Sequence, residues 1–96
     1  MSIYKADIVQ SAAGRDSGKF FFVMEAEGDF LSLADGKVRK IEHPKRKKVK
    51  HVRFVARLDS EVAEKIRRNL HVQNSELRRA LALCSRQLDS QNQGGL

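Results

Sequence analysis

The side chains able to do covalent or acid–base chemistry are few and badly spaced for it. The chain has three histidines (His43, His51, His71) and one cysteine, Cys84. The histidines lack the spacing of metal ligands. Gly-x-Ser-x-Gly, P-loop and His-Glu-x-x-His patterns are all missing. One cysteine allows neither an internal disulfide nor a cysteine metal cage. Cys84 falls on the apolar stripe of an expected helix and is read as a small packing residue. The carboxylates have helix-spaced basic neighbours, Glu61 with Lys65 and Glu64 with Arg68, which leaves no pair for general acid–base work. The sequence therefore points away from an enzyme, and no cofactor is expected.

What remains is charge. The chain carries a formal net charge of +7. Lys37, Arg39, Lys40, Lys45, Arg46, Lys47, Lys48, Lys50 and Arg53 lie within one 17-residue stretch beside a single acid, Glu42, giving that stretch +8 and the rest −1. Such a patch attracts polyanions over about a Debye length, ~8 Å at physiological salt. Arg15 and Lys19 add two cations in a small-residue loop beside Gly14 and Gly18. Glycines without Cβ let a loop backbone approach a phosphate and donate its N–H groups to it. Arg15 has the forked donors to grip phosphate or the plane to stack on a base. The basic stretch has almost no aromatics, which favours backbone and shape recognition of structured RNA over base reading.

The elements that must hold these residues change character midway. The first half reads as short strands: 7–11, Phe20–Met24, Phe30–Ala34, a short one near 37–41 and one around 48–54. Between them lie the Gly14–Gly18 loop, a Glu27-Gly28-Asp29 turn and an Asp35-Gly36 hairpin signal. Alternation puts Phe20, Phe22 and Met24 on one side of their strand, and Phe21 and Val23 on the other. Both faces need cover. The second half has helical period. Asp59 or Ser60 caps a helix striped by Val62, Ile66 and Leu70. Asn74 or Ser75 caps another, with Leu77, Leu81, Cys84 and Leu88 on one face and Arg78, Arg79 and Arg86 on the other. The expected class is α+β: a small barrel over 1–56, helices over 57–90 packed on it as one folding unit, and a disordered tail at 91–96.

The run Asp7-Ile8-Val9-Gln10-Ser11-Ala12-Ala13-Gly14-Arg15-Asp16-Ser17-Gly18-Lys19 resembles the KOW motif. It is most similar to short bacterial KOW-containing RNA-binding proteins and to the KOW start of an archaeal and eukaryotic large-subunit ribosomal protein family. Ala34-Asp35-Gly36-Lys37 and the basic stretch after it extend the resemblance over roughly residues 6–54. The resemblance makes Gly18 the characteristic glycine, with Arg15 and Lys19 as the basic loop positions. Ala6 departs from it, since many KOW motifs carry glycine before the acidic residue. The resemblance implies an SH3-like barrel that binds RNA, or sometimes a protein, through loops at one end. The expected partner is ribosomal or other structured RNA, the ribosome included, and the expected location is the cytoplasm. The alternative is a protein-interaction module of a ribosome- or transcription-associated complex, docking through the Arg78, Arg79 and Arg86 face. A membrane-surface role fits poorly, because the basic stretch has no amphipathic helical period and contains Pro44.

Overall fold

The computed structural model describes residues 2–94. The chain forms a five-stranded antiparallel sheet followed by two helices. The strands are β1 (Ile8–Ser11), β2 (Phe20–Glu27), β3 (Phe30–Ala34), β4 (Lys45–Lys48) and β5 (Val52–Ala56), in the order β4-β3-β2-β1-β5. The helices are α1 (Glu61–Arg67) and α2 (Asn74–Gly94). The ladder leaves β4 and β5 as edges, and one 3₁₀ turn, Val49–His51, links them. Register shifts at Ile8/Val9 and at Val23/Glu25 bend β1 and β2.

The two faces of β2 organise two apolar clusters, as its alternation requires. Phe22 joins Ile8, Ala34, Ala63, Ile66, Leu77, Leu81 and Cys84, with Phe20 and Met24 packed against them. Phe21 and Val23 join Val9, Leu31 and Leu33, bordered by Ile3, Val49 and Val52. The helices thus cover the Phe22 face of the sheet. Each fully buried Phe, Leu or Ile contributes about 1.5–3 kcal/mol.

Several local expectations need correction. No strand forms near 37–41, and Asp35-Gly36 is not a two-residue hairpin. The Asp35 carboxylate instead accepts hydrogen bonds from the backbone N–H of Lys37 (2.9 Å) and Arg39 (2.8 Å), donors a ladder would have needed. The strand expected at 48–54 is split by the 3₁₀ turn into β4 and β5. Leu70 lies outside the α1 stripe and is exposed, because α1 stops at Arg67. Asn69 follows in the left-handed region (φ 57°), and the Leu70 and Asn69 amides close back on the Lys65 and Ile66 carbonyls. Val62 and Ile66 keep their inward places beside Ala63. Glu64 pairs with Arg67 at 3.4 Å rather than with Arg68. The backbone of α2 runs to Gly94, past the tail boundary expected at 91; residues 95 and 96 of that tail lie outside the described residues.

The helix starts follow local chemistry. The Ser60 hydroxyl accepts from the Ala63 amide at 3.2 Å, a capping bond that satisfies a first-turn donor. At the start of α2, the Asn74 side chain accepts from the Ile41 amide (2.8 Å) and donates to Glu42, while Arg78 donates to the Gly36 carbonyl (2.6 Å). These bonds fasten the 35–44 connection to the helix. Gly36 permits the contact: its φ is +78°, and a Cβ there would sit 2.2 Å from the Asn74 carbonyl oxygen.

Candidate nucleic-acid interface

Strand β4 is Lys45-Arg46-Lys47-Lys48, and the period of two sorts these cations into two environments. Arg46 and Lys48 are exposed and lie over the Phe30 ring, with the Arg46 guanidinium carbon 4.0 Å and the Lys48 Nζ 5.8 Å from its centroid. Lys45 and Lys47 turn the other way, onto the loop between β1 and β2.

There they meet Asp16. Lys47 Nζ lies 2.6 Å from Asp16 Oδ1, and Lys45 Nζ lies 2.7 Å from Oδ2. Lys47 also donates to Ser11 Oγ (2.7 Å) and to the Ala13 carbonyl (2.6 Å). An ammonium has three donors, and all three are used inside the protein. Burial alone would push the Asp16 carboxyl up, but the Lys45 and Lys47 ammonium groups and the Ser11 hydroxyl together hold it well below the usual carboxylate range. Lys47 is therefore corrected from an exposed phosphate ligand to a buried structural cation, and Lys45 is partly committed to the same knot. The cause is register: β4 pairs with β3, Leu31 opposite Lys47, which points Lys47 under the loop.

The loop itself has the expected backbone, with Gly14 at φ +86° and Gly18 at φ +91°. Its amides are not all free to donate. The Ser17, Gly18 and Lys19 N–H groups bond to the carbonyls of Gly14, Ser11 and Asp16. Gly18 thus shapes the loop and has open space around it, but its own N–H is already engaged. Gly14 lies against Lys47, where a Cβ would meet Nζ at 3.7 Å. Arg15 pairs with neither Asp16, which is held by lysines, nor Asp7, which is held by Arg57 at the far end of β1.

The other nine cations expected to bind, Arg15, Lys19, Lys37, Arg39, Lys40, Arg46, Lys48, Lys50 and Arg53, are all exposed. Among the described residues, no ion pair engages any of them. Arg15, Lys19, Arg39 and Lys45 line one cleft of about 190 Å³, with Val38 and Asp35 on its wall. This cleft joins the glycine loop to the 35–44 connection. A larger hollow of about 740 Å³ beside it shares Lys19, Asp35 and Val38 and adds Lys37 and Arg78. Arg46 and Lys48 stand apart, over Phe30. Arg53 is opposite Gln10 in the β1–β5 ladder, and Gln10 lines the larger hollow.

Arg78 was assigned by sequence to a separate helical face. The structure places it on the wall of the basic hollow. The missed signal was its position one turn into α2, next to a helix start that holds the 35–44 connection. Two further aromatic features are not legible in the sequence: half-buried Phe30 beneath Arg46, and exposed Tyr4 beneath Arg57.

Among the described residues, no group of three or more His, Cys, Asp or Glu side chains could hold a metal ion. Burial raises the Cys84 thiol above its ordinary value, in keeping with a packing residue. No described helix is long and apolar enough to cross a membrane. No family model matches the chain, and no curated protein matches it.

Proposed function

We propose that this chain is an RNA-binding protein of the KOW type, gripping the phosphates of structured, ribosomal or similar RNA, and that it acts by binding rather than catalysis. The observation that carries the reading is the set of exposed cations without acidic partners, three of which, Arg15, Lys19 and Arg39, converge on the cleft between the glycine loop and the 35–44 connection. The strand order and the 3₁₀ turn joining the edge strands support an SH3-like reading of the sheet. Lys47 holds the loop in place, and Arg15, Lys19, Lys37 and Arg39 supply the phosphate contacts.

The test is fluorescence anisotropy with ribosomal RNA fragments at several salt concentrations. Contact with about five phosphates gives a log–log salt slope of roughly −3 to −4.5. Combined Arg15→Glu, Lys19→Glu and Arg39→Glu substitution abolishes binding and leaves unfolding unchanged. Retained affinity in that variant rules out the cleft.

A second reading, docking of the helical pair on a protein, is favoured by the groove of about 470 Å³ between α1 and α2, where Leu83 is 49% exposed. Under it, partners stay bound after nuclease treatment.

A further inference from the structure

At the end of β1 and β5 remote from the glycine loop, Arg57 lies against two aromatic rings. Its guanidinium carbon lies 4.9 Å from the Tyr4 centroid and 5.3 Å from the Phe54 centroid. The Asp7 carboxylate, 1% exposed, grips it with both oxygens, Nε to Oδ1 and Nη2 to Oδ2, each at 2.9 Å. Asp7 also fixes Tyr4: the Tyr4 amide donates to Oδ2 at 2.7 Å, and the Asp7 amide donates to the Tyr4 carbonyl at 3.0 Å. Tyr4 is nevertheless 57% exposed.

The chemistry separates this corner from the phosphate cleft. Arg57 and Asp7 neutralise one another, and the bidentate bond occupies the donors that would fork a phosphate. What the corner offers outward is Tyr4, more than half exposed and with its backbone pinned. A pinned aromatic loses little freedom on stacking, and every nucleobase has a π face to stack. The ladder sets the reach. Ser11, at the loop end of β1, and Asp7, beneath Tyr4, are four residues apart, on the order of 13 Å of strand.

We infer that Tyr4, backed by Arg57 and Phe54, is a stacking platform for an unpaired base of the RNA whose phosphates occupy the cleft. This inference rests on the RNA-binding reading above. It adds a preference for RNA with a single-stranded segment, which phosphate contacts alone would not give.

The chain contains one tyrosine, so incorporation of 3-fluorotyrosine yields a single ¹⁹F resonance that reports on Tyr4. The probes are an oligouridylate of about ten nucleotides and a duplex RNA of equal length, with affinities taken from anisotropy. Oligouridylate is expected to shift the ¹⁹F line. Tyr4→Leu, which keeps apolar bulk over Arg57, is expected to weaken oligouridylate binding about tenfold and to leave duplex affinity unchanged. An unmoved ¹⁹F line with undiminished Tyr4→Leu affinity, while the oligouridylate binds, overturns the stacking site and leaves the RNA reading intact. Failure of both RNAs to bind overturns the two together.

Discussion

Lys47 and Asp16 meet at 2.6 Å, with only 8% and 11% of their side chains exposed. In the middle of the most basic segment of the chain, the lysine is a core residue. Removing one partner of a buried pair leaves the other charge uncompensated. Lys47→Met is therefore expected to destabilise the protein by about 3 kcal/mol, near the low end for such a loss because Lys45 stays beside Asp16. Arg46→Glu and Lys48→Glu, on the exposed side of the same strand, are expected to change stability by less than about 0.5 kcal/mol. Urea unfolding of the three variants checks the contrast, and equal midpoints would remove the structural role given to Lys47.

The same pair makes stability depend on acid. The Asp16 carboxyl is depressed in the folded state, so above its unfolded value of about 4 both states are ionised and the full stabilisation is present. As pH falls below that value, the unfolded chain takes up a proton that the folded chain refuses, and stability declines toward the lower folded value. Asp16→Asn is expected to be less stable than the parent at pH 7 and to show a shallower decline below pH of about 4. Urea midpoints across that range measure it, and parallel declines would mean that other carboxylates set the acid response.

Gly36 and Gly28 provide a paired test of how the basic connection is fastened. Both have positive φ, +78° and +60°. A Cβ at Gly28 meets nothing within 4 Å, whereas one at Gly36 would strike the Asn74 backbone. Gly28→Ala is expected to cost about 1 kcal/mol from conformation alone. Gly36→Ala must also part the 35–44 connection from α2, and is expected to cost about 3 kcal/mol or more. Under the proposed RNA-binding role it is expected to weaken RNA affinity as well, since Lys37 and Arg39 ride on that connection. Similar unfolding midpoints for the two variants would remove the proposed anchor.

These contrasts show where sequence was informative. The alternation in Phe20–Met24 foretold the two clusters, because period two alone decides which face each side chain takes. The stripe of Leu77, Leu81 and Cys84 likewise foretold the covered face of α2, and Ser60 its capping role for α1. The cations around the two hollows, Arg78 apart, were also identified from sequence. Their sorting was not, because it depends on long-range register. Asp16 and Lys47 are 31 residues apart, and only the β3–β4 ladder turns Lys47 beneath the loop. Asp35 misled for a local reason: its carboxylate captured two amides and replaced a hairpin with a tethered loop.

Ala6 joins the backbone to the motif resemblance. In the proposed KOW reading it stands where many such motifs carry glycine, and its φ is +76°, in the left-handed region that an L side chain enters at a cost of about 1–2 kcal/mol. It is also fully buried in the cluster beneath the helices. Ala6→Gly relieves the conformation but forfeits a buried methyl, about 0.8 kcal/mol, and adds freedom to the unfolded chain, about 0.5–1 kcal/mol. These effects nearly cancel, so the variant is expected to stay within about 1 kcal/mol of the parent. Ala63 is equally buried in the same cluster but sits inside α1. Ala63→Gly loses the same methyl and about 1 kcal/mol of helix propensity with no relief, so it is expected to cost about 2 kcal/mol. Chemical unfolding of the two variants side by side decides the matter. A small loss at Ala6 beside a larger one at Ala63 places a glycine-type backbone at the turn before β1, and equal losses would show that Ala6 carries no such strain.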